Sequence, residues 1–347
     1  MSKTVRPHLP MRKSLSIVGL ILFASAPVFA KDLQSISYRV VEKIAGPDGG
    51  WDLLSVDPAT ERLYVARSNG VMAIDLKSGK VSPDVAVSNR GHDAMSIPGT
   101  STVISTNGGA NTATLFNGLT GEVIATLPVG TKPDAVAWDP ATKTAWVMTP
   151  GSGDISVIDP SSAKVVATIA VGGSLELGTA DGKGRLYVNV EDKNEVVVLD
   201  TLARKVIARF PLKGCDEPTG IAYAADTKQI VSACANGVAI VSAPNGRLVA
   251  SLKVGTGPDG AVYDARRHLA FVPSGGDGTL SIVRLGAKPA VVGLVVTAKG
   301  ARTVALDPST GRLYLPSAQY LPANGARRPP MVPGSFKVLV VAPSQSL

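Results

Sequence analysis

The chain has 347 residues, 45% apolar and 18% charged, which is ample material for a packed core and excludes an intrinsically disordered protein. Its formal charge of +8 is half accounted for by Lys3, Arg6, Arg12 and Lys13, which no acid offsets before residue 31, so the rest of the chain carries only +4. That modest balance, with aromatics at 5%, weighs against nucleic acid as a partner and against a membrane barrel with aromatic girdles.

The N-terminus begins with a basic lead, Met11-Arg12-Lys13, followed by an apolar run from Leu15 to Val28 and then Val28-Phe29-Ala30 before Lys31-Asp32. Small residues at −3 and −1 of a cut after Ala30 predict a secretory signal peptide over residues 1–30. The mature domain, residues 31–347, is then periplasmic or secreted. An uncleaved anchor is the alternative, although Ser and Pro interrupt the run and it is short for a bilayer. No later stretch has the length of a transmembrane helix.

An isolated strand, Ser37 to Ile44, comes next, and after it a unit recurs seven times. Its clearest copy runs from Pro133 to Gly172 and holds four β-branched runs separated by Gly, Pro, Asn, Asp or Ser, which read as four antiparallel strands. Aligning the first strands puts Asp52, Asp93, Asp134, Glu176, Thr219, Asp259 and Arg302 in one register, with steps of 41, 41, 42, 43, 40 and 43 residues. Four strands per roughly 40 residues predict an all-β fold, a seven-bladed β-propeller in a single domain. The seventh unit has strands near Thr303–Leu306, Arg312–Pro316 and Phe336–Ala342 and lacks a fourth. The strand at Ser37–Ile44 is expected to supply it, closing the ring and leaving no open blade edge.

Several segments carry a family resemblance. Leu63-Tyr64-Val65, Ser156-Val157-Ile158-Asp159 and Lys164 to Gly172 look like the YVTN-repeat propellers. Asp181 to Asn189, Glu217-Pro218-Thr219-Gly220, Gly278 to Val283, and Arg328-Pro329-Pro330 leading to Phe336 more closely resemble the exported YncE-like family, and the similarity covers residues 36–343. The resemblance implies the fold and export, and leaves the chemistry open, because propellers host unrelated activities.

In a propeller the first strands line the axial channel, so the seven aligned positions should ring its mouth on the top face. Five of the seven are carboxylates: Asp52, Asp93, Asp134, Glu176 and Asp259. Crowded acids repel unless a proton, a basic ligand or a cation compensates them, which makes these five candidate ligands for Ca, Mg, Mn or Zn. Capping of loops and bonding to the next blade's backbone is the structural alternative. His92 precedes Asp93 and could ligate a metal or act as a base. Arg302 in the ring and Arg67 at the end of blade one's second strand either pair with the acids or clamp an anionic ligand group. Asn107, Asn189 and Glu191 occupy equivalent second-strand ends. His268, on the opposite face, reads as solvated surface. The loop from Ser317 to Ser335, with Tyr320 and Arg327-Arg328, reads as a lid, a partner contact or a surface excursion.

The two cysteines of the chain, Cys215 and Cys234, are expected to form a disulfide. A hairpin centred between Asp226 and Thr227 sets Cys234 opposite Thr219, four residues from Cys215; two unlinked thiols are the alternative. No nucleophile elbow, P-loop or zinc-protease helix is present. Three functions follow. The first is a monomeric exported protein binding a cation, small ligand or protein partner at the top face. The second is a metal-assisted hydrolase or lyase of the lactonase kind. The third is single-stranded DNA binding, which the resemblance brings in and the charge disfavours.

Overall fold

Twenty-eight strands form seven four-stranded antiparallel sheets among the described residues of the computed structural model, which are 1–5, 37–322 and 329–344. Most of the proposed signal peptide and the pair Arg327-Arg328 lie outside the described residues. Blade one consists of Trp51–Asp57, Arg62–Arg67, Gly70–Asp75 and Val81–Val87, in that order outward. Blades two to six repeat the plan, their first strands being Gly91–Ser96, Val136–Asp139, Leu175–Ala180, Pro218–Ala224 and Val262–Asp264. Among the described residues no helix is long and apolar enough to cross a membrane.

The middle strands are apolar at consecutive positions because both faces of each blade are covered. Leu63 and Val65 pack toward blade seven, whereas Tyr64 and Ala66 pack toward blade two. Trp146 and Met148 likewise face blade four while Ala145 and Val147 face blade two. Strand periodicity of two thus sends alternate residues into two different cores, one on each side. Seven apolar clusters result, one between each pair of neighbouring blades.

First strands end in a side-chain-capped turn. Asp57, Asp139, Asp264 and Asp307 are buried, and each accepts a hydrogen bond from the backbone N–H two residues on. In three of them, proline follows the Asp at position 58, 140 or 308.

Blade seven is built from both ends of the chain. Its strands are Ala305–Leu306, Leu313–Ser317 and Lys337–Pro343, and the outermost is Tyr38–Ala45, paired antiparallel to Lys337–Pro343. The expected closure is therefore observed. Arg67 secures it rather than facing a ligand. Its Nη2 donates to the carbonyls of Pro47 and Gly49 at 2.7 and 3.1 Å, its Nε donates to Gly50 at 3.0 Å, and its guanidinium lies 4.0 Å from the Phe336 ring centroid. Those carbonyls lie on the segment joining the closing strand to blade one, so the donors expected at the mouth are spent on ring closure.

Cys215 and Cys234 form a disulfide, with α-carbons 5.3 Å apart. The hairpin register is as expected up to Ile221–Ser232, after which a bulge sets Cys234 opposite Pro218. The bridge pins the loop that enters the channel at Thr219.

Candidate functional site

The ring at the channel mouth is Asp52, His92, Asp134, Glu176, Thr219, Asp259 and Arg302. Asp93, expected from the sequence alignment, does not belong to it. Counting back from the strand pairs fixes the register: Leu54 lies opposite Val65, Ala94 opposite Ser105 and Val136 opposite Val147, which makes His92 the equivalent of Asp52 and Asp134. Steps around the ring are then 40, 42, 42, 43, 40 and 43 residues. All seven side chains are partly exposed.

A one-residue slip moves a strand side chain to the other face, and this is what happens to Asp93. Its carboxylate is buried and accepts hydrogen bonds from the backbone N–H groups of Ala94 (2.7 Å) and Val136 (2.8 Å). It stitches blade two to blade three, and burial pushes its pKa up to about 7. The spacing of Pro58, Pro98, Pro140 and Pro308, each six residues after a ring position, carries the correct register in the sequence.

In blades one, two, four and five a bulge interrupts the first strand at the ring residue. Bulges re-aim side chains, and here they splay the ring residue from the buried one that follows. Backbones approach closely at this level. A Cβ on Gly220 would lie 2.3 Å from the carbonyl carbon of Gly260, so the contact between blades five and six requires glycine.

Polar contacts run through five consecutive blades. Arg302 Nε donates to Asp259 Oδ2 at 2.6 Å, and its Nη2 lies 3.5 Å from Asp52 Oδ1. His92 Nδ1 lies 2.9 Å from Asp52 Oδ2 and 3.8 Å from Asp134 Oδ1. The hydrogen bond that His92 donates to Asp52, with the charge of Asp134 adding to it, raises the His92 pKa against the opposing effect of burial. Backbone links underlie this chain of side chains: Thr303 donates to the Asp52 carbonyl and Thr106 to that of Asp134. Thr219 and Asn189, counted among the polar candidates, make the same kind of link, to Pro258 and to Thr219 and Gly220. Asn107 donates to Thr112 and Thr114 of its own blade and accepts from Ser88 on the segment leading out of blade one. Glu191 accepts from Ser174. His268, on the far face, bonds Asp226 at 2.6 Å.

The ring holds more carboxylates than its bases compensate. Burial pushes the Asp134 pKa up to about 7, with Asp52 adding to it. Asp259 is raised by burial to about 6 despite Arg302. Glu176 is raised furthest, to about 9, by burial and then by Asp134, Asp259, Glu191 and Asp52. A carboxylate whose native pKa is raised favours the folded state at low pH, and that advantage is lost as pH rises through the native value. For Glu176 the window runs from 4.5 to about 9. Glu176→Gln should therefore raise the melting temperature of chelator-treated protein at pH 8 and leave it unchanged near pH 4. Equal melting temperatures of variant and parent at pH 8 would show that Glu176 is not under this pressure.

Chemically, the arrangement offers one cluster suited to a cation among the described residues. Asp52, His92 and Asp134 present one ligand atom each, all within 4.8 Å of one another, from three consecutive blades. Glu176 and Arg302 flank the cluster, Asp259 lies beyond Arg302, and Asp93 is turned away.

No protein-family model matches the chain, and no curated protein sequence matches it. The fold is similar to that of a chain in the crystal structure of the mitotic checkpoint complex, with a TM-score of 0.73 and 13% identity over 94% of this chain and 99% of that one. It is also similar to a chain of Kuenenia stuttgartiensis hydrazine synthase, with a TM-score of 0.64 and 18% identity over 82% of this chain and 95% of the other. At such identities the likeness shows the seven-bladed propeller, a fold that often mediates ligand or partner binding.

Proposed function

We propose that this is an exported propeller that binds a divalent cation at the channel mouth, on Asp52, His92 and Asp134. The observation that carries the reading is the convergence of these three ligand atoms within 4.8 Å of one another. One imidazole with two carboxylates suits Zn²⁺ or Mn²⁺ better than Ca²⁺ or Mg²⁺, which prefer oxygen alone. The proton that His92 holds against Asp52 gives way when a cation takes its place, so binding should weaken as pH falls. The disulfide and the leader-like N-terminus support export to an oxidising compartment such as the periplasm. The segments that resemble the YncE-like family support the same placement.

Calorimetric titration of chelator-treated protein with Zn²⁺ and with Mn²⁺ tests the reading. One site per chain is expected, weakened at least tenfold in Asp52→Asn and in Asp134→Asn, with melting temperature retained. Absence of a saturable site in the parent protein would refute it.

The hydrolase reading has one specific feature in its favour: Glu176 follows Asp134 on the same ring, where burial pushes its pKa up to about 9. Three protein ligands leave a cation open positions for water or a carbonyl, and a neighbouring carboxyl group with a raised pKa can exchange a proton there. Metal-dependent turnover of a lactone, lost in Glu176→Gln, would favour this reading over binding alone.

A further inference from the structure

We infer that the mouth takes its small-molecule ligand as a short aliphatic carboxylate, its oxygens on the bound cation and on Arg302 and its alkyl part in the cavity beneath the ring. The inference rests on the cation reading above and adds the class of ligand.

Arg302 supplies the first support. It neighbours Asp52 around the ring, with Nη2 3.5 Å from Asp52 Oδ1, so its guanidinium borders the cation cluster. The 2.6 Å bond from Nε to Asp259 fixes the plane of the fork. Nη1 makes no hydrogen bond to a described residue, and the side chain is 41% exposed. An oriented guanidinium with a donor to spare is the usual protein partner of a carboxylate. A cation with three protein ligands keeps positions for an exogenous oxygen, so one carboxylate can bridge the metal and the arginine.

The cavity supplies the second. Leu53, Ala135, Leu177 and Gly260 directly follow the ring residues Asp52, Asp134, Glu176 and Asp259, and together with Ile221 and Val304 they line a space of about 180 Å³. Its lining therefore begins one residue along these strands from the ring. The polar side chains in its wall, Asp93 and Ser55, are already engaged. Both carboxylate oxygens of Asp93 accept backbone N–H groups, and the Ser55 hydroxyl donates to the Ala94 carbonyl. What remains is a mixed wall in which the side chains of Leu53, Ala135, Leu177, Ile221 and Val304 offer an alkyl chain apolar contact.

The two supports are coupled. Before the cation binds, Asp52 and Asp259 stand on either side of Arg302 and repel an anion. A cation on Asp52 and Asp134 removes that repulsion. Carboxylate affinity should consequently depend on the metal, and metal affinity on the carboxylate by the same factor.

Acetate, butanoate, hexanoate and butylamine, titrated calorimetrically into Zn²⁺-loaded and into chelator-treated protein, test this. Hexanoate is expected to bind the loaded protein more tightly than acetate, and at least tenfold more tightly than it binds the chelator-treated protein. Butylamine is expected not to bind. Arg302→Gln should lose at least tenfold in hexanoate affinity while still taking up one Zn²⁺ per chain, and Arg302→Lys should recover part of the loss. Ala135→Leu, which narrows the cavity, should weaken hexanoate and spare acetate. Zn²⁺ binding with no carboxylate binding, or with carboxylate affinity indifferent to Zn²⁺ or to Arg302, overturns the inference and leaves the cation reading standing. Failure of Zn²⁺ itself to bind overturns both.

Discussion

Deleting residues 37–45 is expected to abolish the cooperative fold rather than weaken it by degrees. The strand Tyr38–Ala45 pairs along the whole of Lys337–Pro343. Without it Val338, Leu339, Val340 and Val341, which are 0–1% exposed, would sit in an edge strand with half of its hydrogen bonds unmade. Tyr38 also packs edge-on against Phe271, with ring centroids 4.9 Å apart, so the interface between blades six and seven loses a core side chain. The linker that follows loses its anchor too, although Arg67 and Asp48 hold it from the other side: Asp48 accepts backbone N–H groups of Gly334 and Phe336. A domain is stable by only about 5–15 kcal/mol, and the loss of a whole strand from a closed ring is of that order. Circular dichroism melting and size-exclusion chromatography of the shortened chain would read the effect. Aggregation or a non-cooperative melt is expected. A monomer melting within a few degrees of the full chain would mean that the ring does not depend on its N-terminal strand.

Replacing Cys215 and Cys234 together by serine should lower stability by about 3 kcal/mol, the loss of loop-closure entropy for the 19-residue separation the bridge spans. Both positions are buried, at 3% and 0% exposure, so the serine hydroxyls add a polar cost in the same direction. The consequence extends to the mouth, because the bridge pins the loop four residues before Thr219. Denaturant melts of the double variant, and of the parent protein with and without reductant, measure the loss. If variant and parent unfold at the same denaturant concentration, the bridge contributes nothing to stability.

Much of the fold was legible in the sequence because its signals are local and repeated. Asp-Pro turns, four apolar runs per unit and a seventh unit lacking one strand are each readable within about 40 residues, and together they specify a closed ring. The disulfide was legible for the same reason, since a single hairpin brings both cysteines to one end. The mouth was legible except in blade two. There the sequence Gly91-His92-Asp93 offers a carboxylate one position too late, and matching acid to acid selects Asp93 over His92. Matching Pro98 to Pro58 and Pro140 selects His92, because that proline marks the strand end and therefore the register. Arg67 was misread for a different reason. Its partners at Pro47–Gly50 and Phe336 come from the closing linker and from the far end of the chain, and no local pattern announces a contact of that range. Sequence position placed it correctly at a strand end on the top face, but which of several carbonyls or carboxylates a guanidinium reaches is decided by packing.

Crystals of the protein equilibrated with Zn²⁺ and measured at the zinc absorption edge address the cation directly. One anomalous peak is expected at the channel mouth, about 2.1 Å from His92 Nδ1 and about 2.0–2.2 Å from an oxygen each of Asp52 and Asp134. A mouth without a peak, or zinc held only elsewhere on the surface, would contradict the assignment of Asp52, His92 and Asp134 as a cation site.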